Sequence, residues 1–273
     1  MSVFQKVIKR LALAFALFLV VSIFAGIFSA FCGVAGIFGD DSDEKISEMS
    51  AAKLNQEDAK VLIIDIHAAE LEMKEGEKLA AETNNSDITI TQKDGKLQIK
   101  EKGNNWFKNS SHSKVVVYIP KNMEFDKVDI DTGAGEITID SLITDVLDMD
   151  LGAGEVNIDY IEAREVADID GGTGETTIKS GKLSDLSFDL GVGEAELTSE
   201  LRGDCDMDLG VGSLALTILG EKDDYTIEVN KGIGEYSIDG EKIHDNDKIG
   251  EGNNHLQIDG GIGDAKINFK ENR

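Results

Sequence analysis

The sequence predicts an all-β protein: a single-stranded parallel β-solenoid, β-helix-like, with about 20 residues per coil, preceded by one N-terminal transmembrane helix. Three observations carry this. The phrase "DIDTGAGEITID" at 129–140 returns as "DMDLGAGEVNID" at 148–159 and recurs to the end of the chain. Its apolar residues alternate with period two, the signature of strands with one buried face. Residues 11–38 carry no charge, whereas acids are dense from Asp40 onward.

The N-terminal element comes first. "LALAFALFLVVSIFAGIFSAFCGVAGIF", 11–38, is long enough as a helix to cross a hydrocarbon core of about 30 Å with length to spare. A secretory h-region usually runs only ~7–15 residues, so a retained signal anchor is preferred to a cleaved signal. Lys6, Lys9 and Arg10 make 1–10 a basic tail; 39–58 is an acidic linker. Lys and Arg stay on the cytoplasmic side, which puts the N-terminus inside and the β region outside. Ser22, Gly26 and Ala30 form a small-residue stripe within the span, a pattern common in membrane helices.

Residues 59–125 read as irregular first coils and a cap. Strand-like runs are 61–66, 88–91 and 97–100, with Lys93-Asp94-Gly95 as a hairpin turn and Pro120 ending a strand. Trp106 and Phe107 sit in a polar stretch and are expected to cover the end of the core.

Residues 126–273 are the regular repeats. The glycine pairs are Gly133 and Gly135, Gly152 and Gly154, Gly172 and Gly174, Gly191 and Gly193, Gly210 and Gly212, Gly232 and Gly234, and Gly261 and Gly263. Successive first glycines are 19, 20, 19, 19, 22 and 29 residues apart, the last two gaps holding insertions, of which 240–254 should bulge as a loop. Each copy supplies two short strands joined at a glycine corner, and seven copies stack in sequence order to bury a common core. Glycine serves as the structural turn residue.

In-register stacking at about 4.8 Å builds ladders. One runs Asp131, Asp150, Asp170, Asp189, Asp208, with Asn230 and Asp259 beyond; another runs Glu136, Glu155, Glu175, Glu194, then Ser213, Glu235 and Asp264. Unit charges that close repel by about 1 kcal/mol in water and ~3–4 at an effective dielectric of 20. Turn N–H groups and solvent can offset this. A weak cation, such as calcium, bridging Asp131, Asp150, Asp170, Asp189, Asp208, Glu136, Glu155, Glu175 and Glu194 is the competing expectation. The period lacks the nine-residue calcium solenoid motif.

The anchor, the hairpin "ITITQKDGKLQI", the phrase "VVVYIPKNMEFDKVDIDTGAGEITI" and the repeated G-x-G-E coils together resemble the bacterial DUF4097 family of adhesin-like envelope proteins. The resemblance covers about 60–273. It implies an all-β solenoid and an envelope role in adhesion or stress sensing, and supplies no ligand residues.

Composition limits the chemistry. Net charge is −26, which repels nucleic acid and anionic headgroups. His67, His112, His244 and His255 lack metal-ligand spacing, and Cys32 and Cys205 suggest no disulfide. No G-x-S-x-G, H-E-x-x-H, phosphate-loop or dinucleotide fingerprint occurs. Carboxylates repeat as ladders, whereas a catalytic pair would break the pattern. No enzyme activity and no cofactor are expected. The expected partners are the membrane, crossed once, and an unidentified protein or envelope ligand, with self-association into a bactofilin-type scaffold as the alternative.

Overall fold

Ser187 pairs with Asp206 and Leu197 with Leu216, so neighbouring coils stack in parallel at an offset of 19 residues. This comes from a computed structural model that describes residues 50–52, 54–55, 59–102, 113–245 and 247–271. All of them belong to one unit, Glu48–Arg273. The predicted span 11–38, Cys32, Trp106, Phe107 and His112 lie outside the described residues. Among the described residues no helix is long and apolar enough to cross a membrane.

The described chain is all-β, apart from a 3-10 turn at Lys222–Asp224. Its first part holds β1 (Ser50–Ala52), β2 (Val61–Ala68), β3 (Glu70–Gly76), β4 (Ala80–Thr83), β5 (Ile88–Lys93), β6 (Lys96–Glu101) and β7 (Lys114–Pro120). The body is β8 (Phe125–Ile178), β9 (Gly181–Ser184), β10 (Leu186–Arg202) and β11 (Asp204–Leu219). The end is β12 (Tyr225–Asn230), β13 (Tyr236–Ile238), β14 (Glu241–Lys242), β15 (Asp247–Ile249) and β16 (Asn254–Lys270). β8 runs through three corners without losing its ladder, because equivalent residues meet equivalent residues. The hairpin β5–β6 turns at Asp94 (φ 50°) and Gly95 (φ 79°), as the Lys-Asp-Gly sequence requires.

The alternating residues fill one core. Val128, Ile130, Ile137 and Ile139 of one coil, and Leu186, Phe188, Ala195 and Leu197 of another, are all buried. The coil has three faces rather than the two read from the sequence. The third carries Ile161 beside Gly181 and Ala163 beside Leu183, with Leu183 beside Leu201 in turn. Its columns mix Leu, Ile, Gly, Ser, Thr and Ala, so no apolar period marked them.

Stack order also departs from sequence order. β16 lies between β11 and β12, so the seventh copy stacks on the fifth and the sixth sits outermost. The corner glycines record the correction. Sequence order would set Gly234 on Gly212 and Gly263 on Gly234. Instead Gly263 pairs with Gly212, and Gly234 stands over Gly263. The two differ in local structure as well. Gly263 lies within the unbroken strand β16, like the corner glycines of β8, β10 and β11. Gly232 and Gly234 lie between β12 and β13, where the outermost coil keeps only the bridge Ile233↔Ile262.

The opposite end uses the same device: β2 lies between β6 and β8, and β3 between β7 and β8. Neither the first nor the last coil in sequence is therefore an edge. The physical reason is edge protection, since a bare parallel edge offers unpaired backbone groups. Antiparallel strands cover the outermost coils: β5 on β6 and β4 on β7 at one end, β15 on β12 and β14 on β13 at the other. The insertion expected to bulge as a loop supplies β14 and β15.

Candidate functional site

The G-x-G corner is repeated in every regular coil, and the stack explains its glycines. A Cβ on Gly152 would lie 1.9 Å from the carbonyl oxygen of Gly133, and one on Gly193 1.7 Å from that of Gly174. Gly154, Gly191 and Gly210 meet the oxygens of Gly135, Gly172 and Gly191 in the same way. At the reordered end the rule holds along the stack rather than along the sequence. A Cβ on Gly263 would lie 1.5 Å from the Gly212 oxygen and one on Gly234 1.6 Å from the Gly263 oxygen, with Gly261 over Gly210 and Gly232 over Gly261. Each corner thus sits on the carbonyls of the coil beneath it. The first coil has no glycine at its corner. His67 and Ala69 occupy its two glycine columns, beneath Gly133 and Gly135.

The middle residue of each corner forms an outward ridge. In stack order it reads Ala134, Ala153, Thr173, Val192, Val211, Ile262 and Ile233. Val192, Val211 and Ile262 are half-buried, Ile233 is 46% exposed, and none of the four packs into the core.

Carboxylate rows flank the ridge. On one side the ladder brings together Asp65, Asp131, Asp150, Asp170, Asp189, Asp208 and Asp259, ending on Asn230. Asp131, Asp150, Asp170 and Asp189 line an open groove of about 360 Å³ beside the corner backbone. On the other side Glu136, Glu155, Glu175 and Glu194 lead to Ser213 and Asp264. Both rows are closed at both ends. Lys100 Nζ lies 3.5 Å from Asp65, and Asn230 donates to Asp259 at 2.6 Å. Lys114 holds Glu70 at 2.8 Å and Lys242 holds Glu235 at 3.3 Å. Between those ends no base is ion-paired to Asp150, Asp170, Asp189, Asp208, Glu155, Glu175 or Glu194 among the described residues.

The contrast with the third face is one of charge layout. There Arg164 grips Glu124 through two bonds of 2.6 Å and also meets Glu162, while Arg202 pairs with Glu200 and, at the border of the second face, Lys179 pairs with Asp159. Beside the corner, the windows 128–139, 147–158, 167–178, 186–197 and 205–216 contain no lysine or arginine at all.

Crowding of like charge shows in the acids. Partial burial and the neighbouring Asp168, Asp189 and Asp150 push the Asp170 carboxyl up to about 6. Asp131 is raised by burial and by Asp65 and Asp150; Asp208 by burial and by Asp189 and Asp259. These three carboxyls hold their protons more tightly, which lets adjacent members of the row share a hydrogen bond. Among the described residues no group of three or more His, Cys, Asp or Glu side chains converges to hold a metal ion. Cys205 is buried with its thiol pushed up to about 11 by desolvation, so it is an inert core residue.

The profile of the DUF4097 family, described as Toastrack DUF4097, matches residues 51–249. The chain belongs to the DUF4097 family. No curated protein matches the sequence. Solved structures similar to this DUF4097 chain include a "putative cell adhesion protein" from Clostridium sporogenes, 16% identical, covering 82% of this chain and 99% of that one with a TM-score of 0.38. A "putative adhesin" from Bacteroides fragilis is 11% identical over 84% and 100%, TM-score 0.37. Another from Parabacteroides distasonis is 14% identical over 81% and 97%, TM-score 0.41.

Sequence reasoning assembled the two rows but missed their first members, Asp65 and Glu70, and all the groups that close them. The signal was present in "VLIIDIHAAELEM", which keeps the alternation and the acids while lacking the glycines.

Proposed function

We propose that this DUF4097 chain is a membrane-anchored, extracytoplasmic interaction module of the bacterial cell envelope, non-enzymatic, acting as an adhesin-like protein or an accessory to envelope stress signalling. The observation that carries this reading is the unpaired acid surface of the corner. The fold neutralises carboxylates at the row ends and on the third face, and leaves the middle of each row open to another molecule. Beside the corner the carboxylates recur as rows, whereas a pair set for proton transfer would be a local departure from the repeat. The basic residues before 11–38 support an outside location for the β region. A bactofilin-type scaffold would need open coil edges for end-to-end stacking, and the antiparallel strands at both described ends count against it.

The test is crosslinking on intact cells with a membrane-impermeant amine reagent, followed by mass spectrometry. Lys179 is 61% exposed and should react. Labelling with capture of a membrane protein favours the signalling accessory; labelling without one favours adhesion. Protection in cells stripped of wall, where a control surface protein reacts, would overturn the outside location.

A second reading draws on the groove beside Asp131, Asp150, Asp170 and Asp189: a weak cation-binding ladder. It expects millimolar calcium to raise the melting temperature beyond the effect of matched ionic strength. An equal shift in both salts would remove it.

A further inference from the structure

We infer that the ridge over the last four coils of the stack docks a cationic amphipathic segment of a partner protein, one with an apolar strip bordered by Lys and Arg. This rests on the interaction-module reading and names the chemistry of the partner.

Val192, Val211, Ile262 and Ile233 form an aliphatic line outside the core. Three rungs at about 4.8 Å make it ~14 Å long, the length of roughly ten helical residues. These side chains lie outside the core, and the early coils manage with Ala134 and Ala153 at the same position. The bulk increases only towards this end. Asp189 and Asp208 border the line on one side and Glu194 on the other, with no ion pair among the described residues; Asp259 and Asp264 continue the two rows beside Ile262, and at Ile233 they end on Asn230 and on Glu235, held by Lys242. An apolar strip between two anionic rows is complementary to an apolar strip between two cationic rows. The same layout disfavours other occupants. An anionic lipid surface is repelled. A second copy of the chain would set its own acid rows against these.

The apolar line is what separates this docking from simple attraction of a polycation to an acidic protein. The probe is therefore an amidated peptide of Lys-Leu-Leu-Lys repeats, about twelve residues long, compared with oligolysine of equal charge. Both are titrated into the full chain in detergent at about 0.15 M salt, where exposed charges are screened beyond ~8 Å. The variant Val192→Thr/Val211→Thr/Ile262→Thr keeps charge and β-branching. Thr173 already occupies the same column, so the corner accommodates threonine. The expected result is that the variant binds the peptide about tenfold or more weakly while its affinity for oligolysine is unchanged. The single variant Ile262→Thr should give an intermediate loss, which guards against a folding artefact in the triple variant. Equal peptide affinity in parent and triple variant would overturn the inference. So would self-association of the parent that the variant abolishes, because the ridge would then belong to a second copy. A chain that labels from outside the cell but shows no ridge-dependent binding leaves the envelope reading standing and removes this one. Ridge-dependent binding in a chain shielded from the reagent does the reverse.

Discussion

A Cβ on Gly212 would sit 1.7 Å from the carbonyl oxygen of Gly193, its counterpart in the coil before it. Gly212 also has φ 151°, which side chains avoid. Gly212→Ala must either lift one coil off another or shift the corner. We expect a loss of about 3 kcal/mol, from overpacking against backbone plus the strained dihedral. Denaturant unfolding of the purified chain measures it. Gly171 is the control. A Cβ there meets nothing closer than the Asp189 oxygen at 3.2 Å, beside a void of about 20 Å³ lined in part by Leu151 and Leu190. Gly171→Ala needs the Asp189 carbonyl to give by only a few tenths of an ångström, and should stay within about 1 kcal/mol of the parent. Adjacent glycines thus differ in cost: Gly172→Ala, 2.1 Å from the Gly152 oxygen, belongs with Gly212.

The first corner gives the second prediction. The corner at 67–69 carries side chains in both glycine columns, His67 beneath Gly133 and Ala69 beneath Gly135. Ala69→Gly should gain nothing and lose about 0.5–1 kcal/mol to backbone entropy. Gly135→Ala, whose Cβ would lie 2.1 Å from the Ala69 oxygen, should lose several times more. A stabilising Ala69→Gly would mean that the corner dihedrals alone select glycine. The same denaturant series settles the comparison.

These corners also show what the sequence made legible. The parallel ladder, the buried columns and both carboxylate rows followed from the period, because stacking identical coils leaves one register. The coil 61–76 escaped because its corner has no glycine. The third face escaped because its inward positions, such as Gly181, Ser199 and Leu201, share no type. The order of the last two coils, with Gly263 beneath Gly234 rather than above it, escaped for a different reason. Copies this alike accept one another in either order, and the choice rests on which one carries the insertion that covers its outer edge.

The raised acids give a pH prediction. The Asp170 carboxyl titrates near 6 in the folded chain, above its unfolded value. The folded state therefore binds the extra proton, and this group makes the protein more stable as pH falls through about 6 towards 4. Asp131 and Asp208 act in the same direction. Asp170→Asn removes one charge from the row and should stabilise by about 1 kcal/mol at pH 7.5, a figure reduced for its exposure to solvent. The gain should shrink below pH 6 and vanish near pH 4, where the parent is itself protonated. Thermal melts of parent and variant across that range test it. A gain that persists unchanged at pH 4 would assign the effect to something other than charge.

The order of coils at the end gives the last prediction. In a solenoid stacked in sequence order, removing the final coil leaves the one before it as a new end. Here β16 is the parallel partner of both β11 and β12, from Asp204↔His255 to Leu219↔Lys270 on one edge and Tyr225↔Asn254 to Asn230↔Asp259 on the other. Truncation before Asn254 therefore removes two ladders and separates the cap from the stack. Hydrogen exchange should show the amides of 225–230 and 236–238 losing protection together with those along 205–218, whereas amides of β2 and β3 at the far end keep theirs. One competing outcome is physically reasonable. The sixth copy carries the same apolar columns as the seventh, with Ile227 and Val229 matching Leu256 and Ile258. It can in principle dock on β11 directly, with Gly234 taking the place of Gly263 over Gly212. Retained protection at 225–230 in the truncated chain would show that it does, and that β16 is an inserted coil rather than a required one.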